Sequence, residues 1–319
     1  MDRPRRAHGR GLNHPVDLAH ALVGELLARA SFPDAGTAVT CAVSGGADSL
    51  ALLALAVAAG GRVRAVHVDH GLRPGSAGEA ARVADAAQRL GAAFETRCVE
   101  VGDGPNLEAR ARAARYAALP EGVLTGHSAD DRAETVLLHL LRGAGPTGAI
   151  GIARSASRPL LDLRRSETEA LCAALGLDPL HDPSNDDPRF RRNRVRHELL
   201  PLLADIGDRD PVPVLVRQAD LFAEVDAALG LAAAQLDPTD AAALAAAPTA
   251  VAGAAVRAWL VEAGVGDGYG VDAAAVARVL AVARGEHVAT EVVGGWRVAR
   301  SRGRLSAACP APWQDAAHD

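Results

Sequence analysis

Lysine is absent from the 319-residue chain, so all 34 of its basic residues are arginine. A Walker phosphate loop needs a lysine ahead of its Ser or Thr, which excludes a P-loop NTPase. Aromatic residues make up 3% of the sequence, leaving Ala, Leu and Val to build the cores. The four cysteines, at 41, 98, 172 and 309, form no CxxC pair. A zinc ribbon and a paired redox site are excluded with it, and isolated thiols of this kind fit a reducing compartment as small apolar groups. No apolar run is long enough to span a bilayer, and the Arg-rich residues 1–14 are not followed by the apolar stretch of a signal peptide. A cytoplasmic location without membrane contact is expected. The net charge of −5 says little about nucleic acid, because polyanion binding depends on where arginines cluster.

What the chain does contain is a glycine-rich turn, Ser44-Gly45-Gly46-Ala47-Asp48-Ser49. It joins an apolar run at 38–43, which reads as a buried strand, to an Ala/Leu-rich helix at 50–59. Glycines admit an oxyanion close to the backbone, the first amides of a helix have no internal partner, and two serines add hydroxyl donors. Phosphate is expected there, although a tight turn with a Ser or Asp cap would look the same in isolation. A second glycine pattern, Gly143-x-Gly145-x-x-Gly148, follows a helical segment instead of a strand and reads as a loop, not as a dinucleotide fingerprint.

Residues 1–14, with Arg3, Arg5, Arg6 and Arg10, are either a disordered leader or an electrostatic arm. Helical spacing is expected over Pro15 to Ala30. From 38 to 125 strands at 38–43, 63–68, 93–99 and 122–125 alternate with helices at 50–59, 77–90 and 107–118. That alternation predicts an α/β fold with a doubly wound parallel sheet, whose ligands bind beyond the carboxyl ends of the strands. A glycine-rich crossover at 143–163 leads to a helix at 166–176. After a Pro/Asp-rich linker a smaller, mainly helical domain is expected over 211–319, with helices at 214–236, 251–263 and 272–283 and a hairpin at 288–305 across Gly294-Gly295. Arg297, Arg300, Arg302 and Arg304 on its return strand read as a basic surface or as edge protection.

Polar clusters fall at the predicted strand ends. Asp69, His70 and Arg73 are placed in a nucleotide cleft, and no third cluster at ligand spacing makes a metal site of His67 and His70. His67 reads equally as a partly buried turn residue. Arg112, four residues after Glu108, forms a favourable helical pair, yet a cation near a helix start opposes the helix dipole, which suggests a function. Asp130, Asp131 and Glu134 gather negative charge after the fourth strand, where Mg²⁺ would accept hard oxygen donors, or where one Asp merely caps the helix. Between 189 and 196 there are five arginines, interrupted by Phe190 and Asn193. Arginine at that density is a solvated face or a surface for phosphates and unpaired bases.

The order of these motifs carries a resemblance. SGGADS at 44–49 resembles the PP-loop of the ATP pyrophosphatase superfamily. Together with HVDHGLR at 67–73, NLEARARAARY at 106–116, GHSADDRAET at 126–135 and DPSNDDPRFRRNRVRHELLPLL at 182–203, it is similar to the tRNA(Ile)-lysidine synthase family over roughly residues 36–205. The resemblance implies a PP-loop catalytic domain over 15–210, a smaller middle domain after it, and no further C-terminal domain such as longer members carry. It implies that ATP adenylates the C2 oxygen of the wobble cytidine in a CAU-anticodon isoleucine tRNA, and that the ε-amine of free L-lysine then displaces AMP.

By the same resemblance Ser44, Gly45, Gly46, Ala47, Asp48 and Ser49, with Asp69 and His70, hold ATP. Asp48, Arg112, Asp131 and Glu134 are the catalytic residues; Asp48 and Asp131 are assigned to Mg²⁺, and Asp131 with Glu134 also to positioning lysine, two roles that the sequence does not separate. His127, Asn185, Asp187, Arg192, Arg194 and Arg196 lie on the substrate and tRNA side. Arg132 and Ser128 depart from the family's usual Gln and His. A homodimer is left open. A related thiolase would want cysteines near the cleft, and only Cys41 is close in sequence. A small-molecule synthetase would not explain the arginine run, and a plain RNA-binding module would leave Asp48, Asp131 and Glu134 without a role.

Overall fold

The computed structural model describes residues 16–69, 76–99, 107–265 and 271–309. Strand and helix alternate first: α1 (Ala21–Leu27), β1 (Ala38–Ala42), α2 (Ala47–Ala58), β2 (Arg62–Asp69), α3 (Ser76–Arg89), β3 (Ala93–Cys98) and α4 (Leu107–Ala118). β1 pairs parallel with β2, and β2 with β3. Parallel neighbours cannot be joined by a tight turn, and α2 and α3 supply the crossovers. α1 is shorter than the helix expected from Pro15 to Ala30. Asp17 Oδ1 accepts from the Ala19 N–H at 3.0 Å and His20 Nδ1 from the Leu22 N–H at 3.2 Å, so those side chains hold a turn where helix was expected.

The fourth strand expected at 122–125 is reduced to one parallel bridge between Leu124 and Cys41. The Leu124 N–H donates to Thr40 O at 2.8 Å, and the Ala42 N–H to Leu124 O at 2.9 Å. The ladder stops there because the Thr125 N–H donates to Ser157 O instead, at 2.8 Å, while Gly122 has φ of 73° just before it. In space the order is therefore Leu124, β1, β2, β3. The chain leaves β1 on one side and returns from β3 to the other, which makes the carboxyl end of β1 a topological switch point.

After Leu124 follow α5 (Ala129–Leu140), α6 (Pro146–Ala149), α7 (Arg165–Ala174), a 3₁₀ turn (Pro183–Asp186), α8 (Arg191–Arg194), a π turn (Val195–Leu199) and α9 (Leu200–Gly207). The π turn has a local cause. Pro201 has no N–H to return to the carbonyl four residues earlier, and the Leu200 N–H reaches back to Val195 O. α2 is apolar all round and sits at the centre of the first core, with Leu50 to Ala56 buried among Val43, Leu163 and Leu171.

α10 (Pro211–Ala233) contains the division between two compact units: the first reaches Arg142 and resumes over Gly151–Arg217, and the second consists of Gly143–Ile150 and the chain from Gln218 onward. The second unit has α11 (Ala241–Ala246), α12 (Thr249–Glu262), α13 (Ala273–Arg284), β4 (Ala289–Val292), β5 (Trp296–Ser301) and β6 (Arg304–Ala308). Its sheet has three antiparallel strands where a single hairpin was expected. A second turn at Arg302-Gly303, with φ of 51° and 79°, splits the expected return strand, so Arg297 and Arg300 lie on β5 and Arg304 on β6. α11 has six residues, too few to show a period, and exists because Asp240 Oδ1 caps it by accepting from the Ala242 and Ala243 amides at 2.9 and 3.1 Å.

Candidate active site

The glycine-rich loop at 44–46 leaves β1 at the switch point. Gly45 takes φ of 92°, where a side chain would be strained, and a Cβ there would meet Leu180 Cδ1 at 2.4 Å. The loop is stapled from inside: Ser49 Oγ donates to Gly46 O at 2.8 Å and accepts from the Gly45 N–H at 3.1 Å, with Ser44 Oγ 3.3 Å away. Ser49 thus shapes the loop. Gly46 caps α2, and the first-turn amides, including those of Ala47 and Asp48, have no carbonyl four residues earlier in the helix to accept them. Helix α2 begins three residues earlier than its apolar pattern suggested, which puts Asp48 inside the first turn.

A second loop, at 126–128, closes on this one. A Cβ on Gly126 would lie 2.6 Å from Asp48 O, so only glycine allows the approach. Ser128 then caps α5: its N–H donates to Asp131 Oδ2 at 2.9 Å, and its Oγ faces the Asp131 N–H at 3.5 Å. Ser128 therefore has a structural use, and Arg132, the other departure from the family pattern, is buried.

Asp131 has a second oxygen, and it meets an arginine cluster. Asp131 Oδ1 accepts from Arg165 Nη2 and from Arg192 Nη2, both at 2.8 Å. Fully buried Glu134 accepts from Arg165 Nη1 at 3.1 Å, from Arg192 Nε at 2.7 Å and from Arg196 Nε at 2.7 Å. Arg165 Nε lies 3.5 Å from Asp48 Oδ2, while Asp48 Oδ1 accepts from Thr168 Oγ1 at 2.5 Å. Three carboxylates and three guanidiniums balance in one half-buried cluster. Asp130 stands outside it and anchors α7, accepting from Arg164 Nε at 3.0 Å and from the Arg165 N–H at 2.8 Å.

The charges divide these carboxylates. Burial, joined by the negative charge of Asp131, pushes the Asp48 carboxyl up to about 6 against the pull of Thr168 and Arg165. Burial also raises Asp131 and Glu134, but guanidiniums outweigh it. Arg192 and Arg165 hold Asp131 below its ordinary value, and Arg196, Arg192 and Arg165 do the same for Glu134. Both thiols near this region are raised to about 12 by burial, Cys41 in β1 and Cys172 in α7.

Other expected residues are placed as follows. Asp69 ends β2 on the same sheet edge, its carbonyl accepting from the Val99 N–H at 2.9 Å. His67, only 3% exposed, donates from Nδ1 to Val43 O at 2.9 Å and ties the ends of β1 and β2 together. His127 Nδ1 is 2.9 Å from Thr125 Oγ1. Asn185 is exposed, Asp187 is held by Arg189 at 2.6 Å, and Arg194 by Glu198 at 2.8 Å. Arg112 belongs to α4, but its side chain, like His70, Arg73 and the basic leader, lies outside the described residues.

Sequence reasoning missed Arg165 and Thr168, which meet Asp48. Asn193, read only as an interruption of the arginine run, donates from Nδ2 to Ser184 O at 2.7 Å and Asp187 O at 2.9 Å and pins the acidic loop to α8. A cation at the first position of α7 was the available signal for Arg165, since it opposes the helix dipole there.

Among the described residues no group of three or more His, Cys, Asp or Glu side chains is arranged to hold a metal alone. Both oxygens of Asp131 are engaged, whereas Asp48 Oδ2 has only the long Arg165 contact. One such oxygen beside a phosphate loop fits Mg²⁺, which keeps water and phosphate ligands. No described helix is long and apolar enough to cross a membrane.

A PP-loop domain model matches residues 21–203. A tRNA(Ile)-lysidine synthase of Nocardia farcinica is 45% identical over 263 residues, covering 77% of this chain and 82% of the relative. One of Rhodococcus erythropolis is 46% identical over 242 residues, covering 71% and 74%. One of Salinispora tropica is 42% identical over 324 residues, covering 92% of this chain and 95% of that one. With the glycine-shaped phosphate loop at the switch point, the PP-loop match over more than half of the chain and relatives of this identity over most of it, the chain belongs to the tRNA(Ile)-lysidine synthase family of ATP-using PP-loop ligases.

Proposed function

We propose that the chain joins free L-lysine to C2 of the wobble cytidine in a CAU-anticodon isoleucine tRNA, in the cytoplasm. The cytidine O2 attacks the α-phosphorus of ATP as the bond to pyrophosphate breaks. The lysine ε-amine then attacks C2, the C2–O bond breaks, AMP departs with the oxygen, and the amine loses a proton. The supporting observation is that Arg165 links Asp48 of the phosphate loop to Asp131 and Glu134, so one charge-balanced cluster borders the site of both steps.

The α2 amides and the Ser44 hydroxyl bind the phosphates and favour charge developing on the leaving pyrophosphate. Asp48 is the residue that would hold Mg²⁺, which offsets that charge when bound. Asp69 and His70 belong with the nucleotide, and Arg112 with the phosphate or the activated cytidine. Asp131 positions lysine, and buried Glu134 supports it from behind by holding Arg165, Arg192 and Arg196. Because three arginines already balance the three carboxylates, the incoming ε-amine is not fixed as an ammonium, which could not attack. His127, Asn185, Asp187 and Arg194 belong with the tRNA, while Arg192 and Arg196, turned inward to Asp131 and Glu134, act on the substrate from within the cleft. Nothing in this chemistry requires a second copy of the chain.

The test is exchange of labelled pyrophosphate into ATP in the absence of lysine. Exchange that needs CAU-bearing isoleucine tRNA is expected; its absence with active, folded protein would overturn the adenylation step.

A further inference from the structure

The helices that carry the cluster have a second face. Asp131 and Glu134 occupy the first half of α5. At its far end Leu138, Leu141 and Arg142 form one wall of a groove of about 430 Å³, and Arg191, Leu199 and Leu202 form the other. Arg192 and Arg196 turn inward to the carboxylates, while Arg191 and Arg194 line the groove. Leu141 is 71% exposed and Leu202 51%, so the walls carry apolar surface left open on a charged face.

The rim decides what fits. Arg194 is paired with Glu198 at 2.8 Å, but Arg142 and Arg191 have no acidic partner among the described residues. The groove is thus apolar within and positive at its edge. A second copy of the chain is a poor occupant, because a two-fold interface sets the same patch against itself and would oppose arginine to arginine. An unpaired base with its flanking phosphates fits both parts: its flat face covers apolar side chains or stacks on guanidinium, and its phosphates meet arginine. Position agrees. Leu141 lies seven residues beyond Glu134, about 10 Å along the helix, the span of two or three nucleotides at about 3.4 Å each.

We propose that this groove seats an unpaired nucleobase of the RNA substrate, one flanking the nucleotide that enters the cleft, with Arg142 and Arg191 on its phosphates. The proposal rests on the reading of the chain as a tRNA-modifying ligase. It gives the exposed leucines and partnerless arginines of this face one use.

The test uses the full chain and an anticodon stem-loop RNA with 2-aminopurine in place of the adenine that follows the wobble cytidine. Binding is followed by fluorescence, and lysine incorporation into whole tRNA is measured in parallel. Leu141→Asp should weaken binding about tenfold and restore the probe's emission. Arg142→Ala with Arg191→Ala should lower the slope of log affinity against log salt by about two. In all of these variants the KM for lysine should be unchanged. Unaltered affinity and salt slope in the variants, with the wild type active, would overturn the groove. So would a dimeric wild type that Leu141→Asp converts to monomer, since the face would then be a self-interface. A wild type that binds the stem-loop through the groove but incorporates no lysine would support the groove and overturn the proposed reaction instead.

Discussion

Arg165 Nη2 and Asp131 Oδ1 lie 2.8 Å apart across 34 residues of chain, and the same guanidinium reaches Glu134 at 3.1 Å and Asp48 at 3.5 Å. One side chain, placed by the first turn of α7, thereby ties the phosphate loop to the acidic helix. Arg165→Ala should leave buried carboxylates short of a counterion and cost about 3 kcal/mol in urea unfolding. Arg165→Lys keeps the charge but loses the fork, and should recover much of the stability while activity stays about 100-fold down. An unfolding midpoint for Arg165→Ala equal to that of the wild type would contradict this.

Asp48 is expected to cost stability in exchange for function. At pH 7 it is ionised against the preference of its surroundings, so Asp48→Asn should raise stability by about 1–2 kcal/mol. The same variant should lose pyrophosphate exchange. A folded variant that exchanges at the wild-type rate would remove Asp48 from the mechanism.

The pH dependence of stability has two limbs. Asp130, Asp131 and Glu134 have folded values below their ordinary ones, so their contribution is complete above about pH 4 and is lost as pH falls through the folded values. Asp48 is raised, so its contribution is present below about pH 4 and is lost as pH rises through about 6. The urea midpoint should peak between these limbs, and Asp48→Asn should flatten only the upper one. A decline above pH 5 that persists unchanged in the variant would refute the assignment.

The cysteines should be chemically silent in the reaction. Cys41 and Cys172 are buried with thiols raised to about 12, while Cys98 and Cys309 are exposed. Alkylation of the native protein should therefore modify Cys98 and Cys309 alone, and replacing all four cysteines should keep lysine transfer while lowering stability by about 1 kcal/mol per buried site. Loss of transfer in a folded variant would point to thiol chemistry.

Much of this was legible before the structure. The 38–118 alternation, the glycine turn and Asp131 with Glu134 could be read because each depends on local pattern: period, φ and capping. The fourth strand was misjudged because Thr125 finds Ser157, a partner 32 residues away, instead of continuing the ladder. Arg165 and Thr168 were missed because nothing local marks what a helix start will meet across a core. The arginine run reads as one basic surface, yet its 3.6-residue period splits it, sending Arg192 and Arg196 inward and leaving Arg191 and Arg194 outside.

The most direct measurement is incorporation of labelled lysine, with ATP and Mg²⁺, into isoleucine tRNA bearing CAU, against methionine tRNA with the same anticodon. Label on the isoleucine tRNA alone is the predicted result. Folded protein that releases pyrophosphate with another substrate but labels neither tRNA would contradict the account.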